Sequence, residues 1–142
     1  MNLTTSWIFW AFLSACFAAL TAIFAKVGVE NVNSDLATLI RTVVILVTLT
    51  LILAAIGELK RPESISVKTW VFLVLSGLAT GGSWICYFRA LKIGQAAQVA
   101  PIDKLSVVMV AIFGAVFLGE TLSLTGWLGV ALIGAGAILV AL

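Results

Sequence analysis

The chain has 142 residues, 63% of them hydrophobic, with eight basic and six acidic side chains and a mean hydropathy of +1.24. Ordinary globular domains carry about 25% charged residues, so a water-soluble domain of this length could not hide so much apolar surface, and an integral membrane protein is the class that remains. The net charge of +2 is small and scattered, which argues against a nucleic-acid partner, and the absence of histidine removes imidazole chemistry and the commonest metal ligand.

Residues 7–25 form the first apolar run, closed by Lys26. No basic residue precedes it, so it lacks the charged start of a secretory signal and reads as a retained span. Ala11, Ala15, Ala18, Ala22 and Ala25 recur at spacings of 4, 3, 4 and 3, a small-residue stripe that lets helices approach closely in lipid. Trp7 and Trp10 stand where an interfacial aromatic belt belongs. Cys16 in this run and Cys86 in a later one read as small hydrophobes, with no disulfide and no metal site implied.

A short polar loop follows, in which Asn33, Ser34 or Asp35 can cap the next helix. That helix places Thr38, Arg41, Thr48 and Ala55 on roughly one face, which is expected to point at protein. Arg41 lies about two turns inside it, and two readings stand: snorkelling to the interface, or an interior role with an acid or a ligand. Residues 57–68 are the most polar segment, a loop marked by Pro62. The third span follows Trp70 and carries Gly77 and Gly81 as a helix-packing GxxxG. Trp84 and Phe88 continue that face with Tyr87 beside it, either as plain core or as the wall of a ligand site. Arg89 and Lys92 mark its exit.

Residues 95–126 hold the most informative stretch. The unbroken apolar run within it, residues 105–118, spans about 21 Å at the helical rise, too short for a hydrocarbon core of about 30 Å. A fourth span therefore has to start near Ala96 and carry Asp103 and Lys104 below the surface, at a cost of roughly 2.5–3.5 kcal/mol or more per charge. Ala97, Ala100, Lys104, Val108, Ala111 and Ala115 share a face, so Lys104 is expected to point toward other helices. Asp103 should sit about 100° away, with the two charges aimed at different points. Pro101 weakens the ladder locally, and the carbonyl it frees can serve Lys104 or a ligand. After a tight turn, residues 124–142 form the last span, in which Gly129 and Gly136 suit close packing on a partner, including one in a second subunit.

The expected fold is thus an all-α integral membrane protein, a single domain over residues 1–142 with spans at about 5–26, 35–57, 68–91, 96–118 and 123–142. Five spans put the termini on opposite sides. Lys60, Arg61 and Lys68 then face one side, and Lys26, Arg89 and Lys92 the other. The positive-inside rule finds almost no bias in three against three. A chain that inserts both ways can pair with itself as an inverted repeat, a common transporter plan; the alternative is one orientation fixed by other factors.

The segments Tyr87-Phe88-Arg89-Ala90-Leu91-Lys92, Val116-Phe117-Leu118-Gly119-Glu120 and Gly126-Trp127-Leu128-Gly129, together with residues 95–99, resemble the EamA domain of the drug/metabolite transporter superfamily. The resemblance covers most of the chain, in the family's order and spacing. It implies a secondary transporter in the cell (inner) membrane, often an exporter of amino acids or other small metabolites. The usual member has ten spans from two fused repeats. One repeat implies a homodimer of ten helices, parallel or antiparallel, as in short five-span bacterial and archaeal members. Ala100 to Lys104 is similar to what those short members carry, whereas long members usually place a Leu-Pro pair later in this helix. The related small multidrug resistance family centres on a glutamate in the first helix; this first helix carries no acid.

The transport reading gives Arg41 and Lys104 an anionic group of the substrate, Asp103 a cation, Trp84 and Tyr87 the walls of a cavity between the third and fourth helices, and Pro101 a freed carbonyl that can serve a ligand. The plain alternative is structural pairing, for example of Asp103 with Arg41. A different function class is a non-transporting membrane subunit that packs against a larger transport or assembly complex. An enzyme is not expected: Gly81-Gly82-Ser83 lacks a base, and no phosphate-binding loop or cofactor motif is present.

Overall fold

The computed structural model describes residues 6–59 and 65–142. Lys60, Arg61, Pro62 and the expected first-span start at residue 5 lie outside the described residues. The described residues form six helices: α1 (Trp7–Gly28), α2 (Ser34–Ala55), α3 (Val67–Ile93), α4 (Ala96–Asp103), α5 (Ser106–Phe117) and α6 (Leu124–Ala141). By length and hydropathy they make five candidate membrane spans, with α4 and α5 sharing one over Ala96–Phe117. The protein is an all-helical, multi-pass membrane protein with no strand among the described residues.

Local chemistry sets the helix ends. Asn33 is the N-cap of α2; its side-chain oxygen accepts from the backbone N–H of Asp35 at 2.9 Å and of Leu36 at 3.2 Å, satisfying two donors that a helix start leaves open. At the other end of α2, Gly57 adopts φ +72°, the N–H of Glu58 reaches the carbonyl of Leu53, and that of Gly57 reaches Ala54. This glycine-dependent Schellman pattern stops the helix. Ser123 caps α6 through the N–H of Gly126.

The chain divides into two compact units. One comprises the chain through Phe24 together with Ile93–Leu142; in it α6 packs against both α4 and α5. Here Gly134 lies against Val108: a Cβ at Gly134 would stand 3.3 Å from a Val108 methyl. The other unit is Ala25–Lys92, containing the last turn of α1, then α2 and α3. Its buried side chains are Ala25, Val29, Thr38, Phe88 and Leu91. Most other large apolar residues are exposed, as lipid-facing helices require when lipid, not a dry core, is their solvent.

The alanine stripe of α1 is buried at its end, at Ala22 and Ala25, and open at Ala11, Ala15 and Ala18. Two sequence expectations change. The covered face of α2 is Thr38, Arg41 and Ile45, whereas Thr48 and Ala55 are exposed, because coverage fades toward the far end of the helix. The fourth span is broken rather than continuous at Lys104–Leu105.

Candidate functional site

The Asn33 cap starts α2 so that Arg41 falls about two turns inside the span, one turn beyond the buried Thr38. Thr38 donates its hydroxyl to the carbonyl of Ser34 at 2.9 Å and so stays satisfied. On α3, Trp84 and Phe88 are four residues apart and share a face. Both are turned to α2: the Arg41 guanidinium carbon lies 4.2 Å from the Trp84 ring centroid and 5.5 Å from that of Phe88. Tyr87 meets Phe88 edge-on, with centroids 6.5 Å apart. Among the described residues, no carboxylate lies within ion-pair distance of Arg41. Ring faces are a weak substitute for an anion, worth about 0.5–2 kcal/mol. They hold the guanidinium in place without neutralising it.

Arg41 thus lies between α2 and α3, on the rings of Trp84 and Phe88. The face of Trp84 is already taken by Arg41 of α2, whereas Tyr87 meets Phe88 of its own helix.

At the end of the same unit lies a set of contacts that the sequence reading missed. Arg89 grips Asp35 with both arms, Nε to Oδ1 at 2.9 Å and Nη2 to Oδ2 at 2.7 Å. Lys92 donates to the carbonyl of Val32, and Lys26 donates to the carbonyl of Leu91 at 2.7 Å. Sequence alone marks Lys26, Arg89 and Lys92 as charges at span ends and Asp35 as a cap candidate, without pairing them. The legible signal was that an acid opening α2 and a base closing α3 must lie on one membrane side.

The other unit carries Pro101, Asp103 and Lys104. Pro101 sits inside α4. Past Asp103 the ladder tightens: Leu105 bonds back to Ile102, Val107 to Lys104 and Val108 to Leu105, each three residues apart. This is the 3₁₀ pattern, found where helices bend or hinge. The break corrects the expectation that adjacent residues 100° apart aim at different points. Lys104 curls back to Asp103, Nζ to Oδ2 at 3.1 Å. The Lys104 side chain is 54% exposed and that of Asp103 36%.

A glycine notch closes α5. The carboxylate of Glu120 folds back over the buried Gly114, where a Cβ would stand 2.6 Å from Oε2. By contrast, a Cβ at Gly77, Gly81, Gly129 or Gly136 would meet no atom within 4 Å; these faces are open. Among the described residues, no group of three His, Cys, Asp or Glu could hold a metal ion.

Comparison with known proteins agrees with the helices. The chain matches the EamA-like transporter family over residues 5–142. It is 66% identical over 139 residues to a Sinorhizobium sp protein named an uncharacterized transporter in the cobO 3′ region, covering 98% of this chain and 99% of that one. No solved structure matches. A family match across nearly the whole length, carried by five apolar helices, leaves one conclusion: the chain belongs to the EamA-like transporter family.

Proposed function

We propose that this membrane transporter is a secondary transporter of the cell (inner) membrane. It exports amino acids or other small metabolites by alternating access, and it works as a homodimer. The observation that carries the reading is Arg41: a permanent cation two turns inside a span, held against Trp84 and Phe88 with no carboxylate beside it among the described residues. Charge at such depth is costly and marks functional positions in membrane proteins. The N–H groups of Arg41 suit a substrate carboxylate, for which a guanidinium offers a planar, two-pronged donor.

Asp103 and Lys104 supply a second polar position within a span. Paired with each other they are neutral; parted, they offer both signs to a zwitterion. Their half-exposed state on a single chain also supports a second copy, because a membrane span does not leave an ion pair facing hydrocarbon. The open faces at Gly77 and Gly81 on α3, and at Gly129 and Gly136 on α6, are suited to close helix contact with that copy.

The test is a flux assay on protein reconstituted in vesicles, with a panel of amino acids and small carboxylates. Arg41→Gln, Asp103→Asn and Lys104→Met are each expected to lower flux at least tenfold while the protein still purifies as a folded species. Full flux from all three variants overturns the site. No flux of any panel member by the wild-type chain alone, with recovery of the chain in a heteromeric complex, favours the reading as a non-transporting subunit.

A further inference from the structure

We propose that Asp35 and Arg89, helped by Lys26 and Lys92, form a latch that reversibly closes one end of the Ala25–Lys92 unit over the Arg41–Trp84 site. The proposal rests on the transport reading for its purpose, but not for its test. The latch and the site lie on the same two helices. Asp35 is six residues before Arg41 on α2, about 9 Å along the axis, and Arg89 directly follows Phe88 on α3. Between them lies Thr38, buried to 6% exposure. Closing the helix ends at Asp35 and Arg89 thus covers the approach to Arg41 from that side.

Three features suit a catch better than a permanent rivet. Around the buried Val29 and Leu91, the polar contacts that join the helix ends are made by flexible side chains, among them a bidentate ion pair and two lysine-to-carbonyl bonds. The ion pair is half exposed, with side chains 59% and 46% accessible, and exposed pairs are weak and easily exchanged for water. Arg89 is 59% exposed, and the other three charges are favoured where they stand when the contact opens. Asp35 sits in the first turn of α2, where the helix dipole favours an anion. Lys26 and Lys92 sit in the last turns of α1 and α3, where it favours cations. Opening therefore strands no buried charge, and the two states can lie close in free energy, as a two-state element requires. The other titratable group on this stretch, Glu30, lies in the α1–α2 loop outside the described ion pairs.

The experiment reads how often the end opens. Thr38→Cys, in a chain whose Cys16 and Cys86 are replaced by serine, is treated with a water-soluble maleimide after reconstitution in vesicles opened to both sides. Slow, complete labelling is expected in this background. Asp35→Asn and Arg89→Gln should each speed it by roughly two- to fivefold, the range set by exposed ion pairs. The exchange Asp35→Arg with Arg89→Asp should return it toward the starting rate. Should the single variants fail to fold, raising the salt concentration on the parent protein gives the same reading, because salt weakens exposed pairs. Labelling that is absent, or equally fast in all variants and salts, overturns the latch. Labelling as expected in a chain that moves no solute would uphold the latch and remove the transport reading.

Discussion

Gly114 and Gly119 stand five residues apart at the end of α5 and are glycines for different reasons. Gly119 adopts φ +68°, a conformation that costs other residues roughly 1–2 kcal/mol. Gly114 has ordinary helical backbone and leaves room for the Glu120 carboxylate, the movable end of a long side chain. Gly119→Ala is therefore expected to destabilise the protein by about 1–2 kcal/mol. Gly114→Ala should cost less than Gly119→Ala although Gly114 is buried, because the Glu120 carboxylate swings away and alanine favours a helix over glycine by about 1 kcal/mol. Thermal unfolding of the purified protein in detergent separates them; an equal loss would mean that the Glu120 contact is itself structural. Arg41 and Lys104 make a similar contrast. Both are cations within spans, yet one lies on aromatic rings and the other on the neighbouring acid.

Among the elements, the broken fourth span is the one that departs most from a plain apolar rod. Pro101 removes one N–H from the ladder, and a run of 3₁₀ bonds follows it over residues 102–108. If this break is the bending point of transport, Pro101→Ala should raise the thermal midpoint by restoring a backbone hydrogen bond, and lower flux by stiffening the span. Unchanged flux in a more stable protein would make the break static. The α2–α3 pair behaves differently. It is joined at one end by the Asp35–Arg89 contact and above it by Arg41 on Trp84, whereas α6 meets α4 and α5 through small residues such as Gly134.

For the whole molecule, the charges flanking the spans decide insertion. Lys26, Arg89 and Lys92 balance Lys60, Arg61 and Lys68, and with so little bias the chain should insert in both orientations. A C-terminal tag carrying reporters active on opposite membrane faces is expected to give signal from both. Signal from one alone removes the antiparallel dimer and leaves the parallel one. Charges added to the loop that holds Lys68 should shift the ratio in one direction.

Much of this was legible before any coordinates. Class and span count follow from composition and run length, because a bilayer sets how many consecutive apolar residues a helix needs. Capping of α2 was legible to within two residues, because Asn, Ser and Asp cap by local hydrogen bonds. Arg41, Trp84, Asp103 and Lys104 stood out as candidates through rarity of charge and aromatic placement in apolar helices. Their partners were not legible. The bond between Asp35 and Arg89 joins residues 54 apart, and helical periodicity says which face a residue takes but not what stands opposite. The Asp103–Lys104 pair escaped for the reverse reason: an ideal helix was assumed where the backbone turns. Hydropathy and span length are properties each segment carries alone, and the chain's order of residues determined them. Which cation meets a carboxylate, which a carbonyl and which a ring depends on how helices pack, and only the tertiary structure decided that.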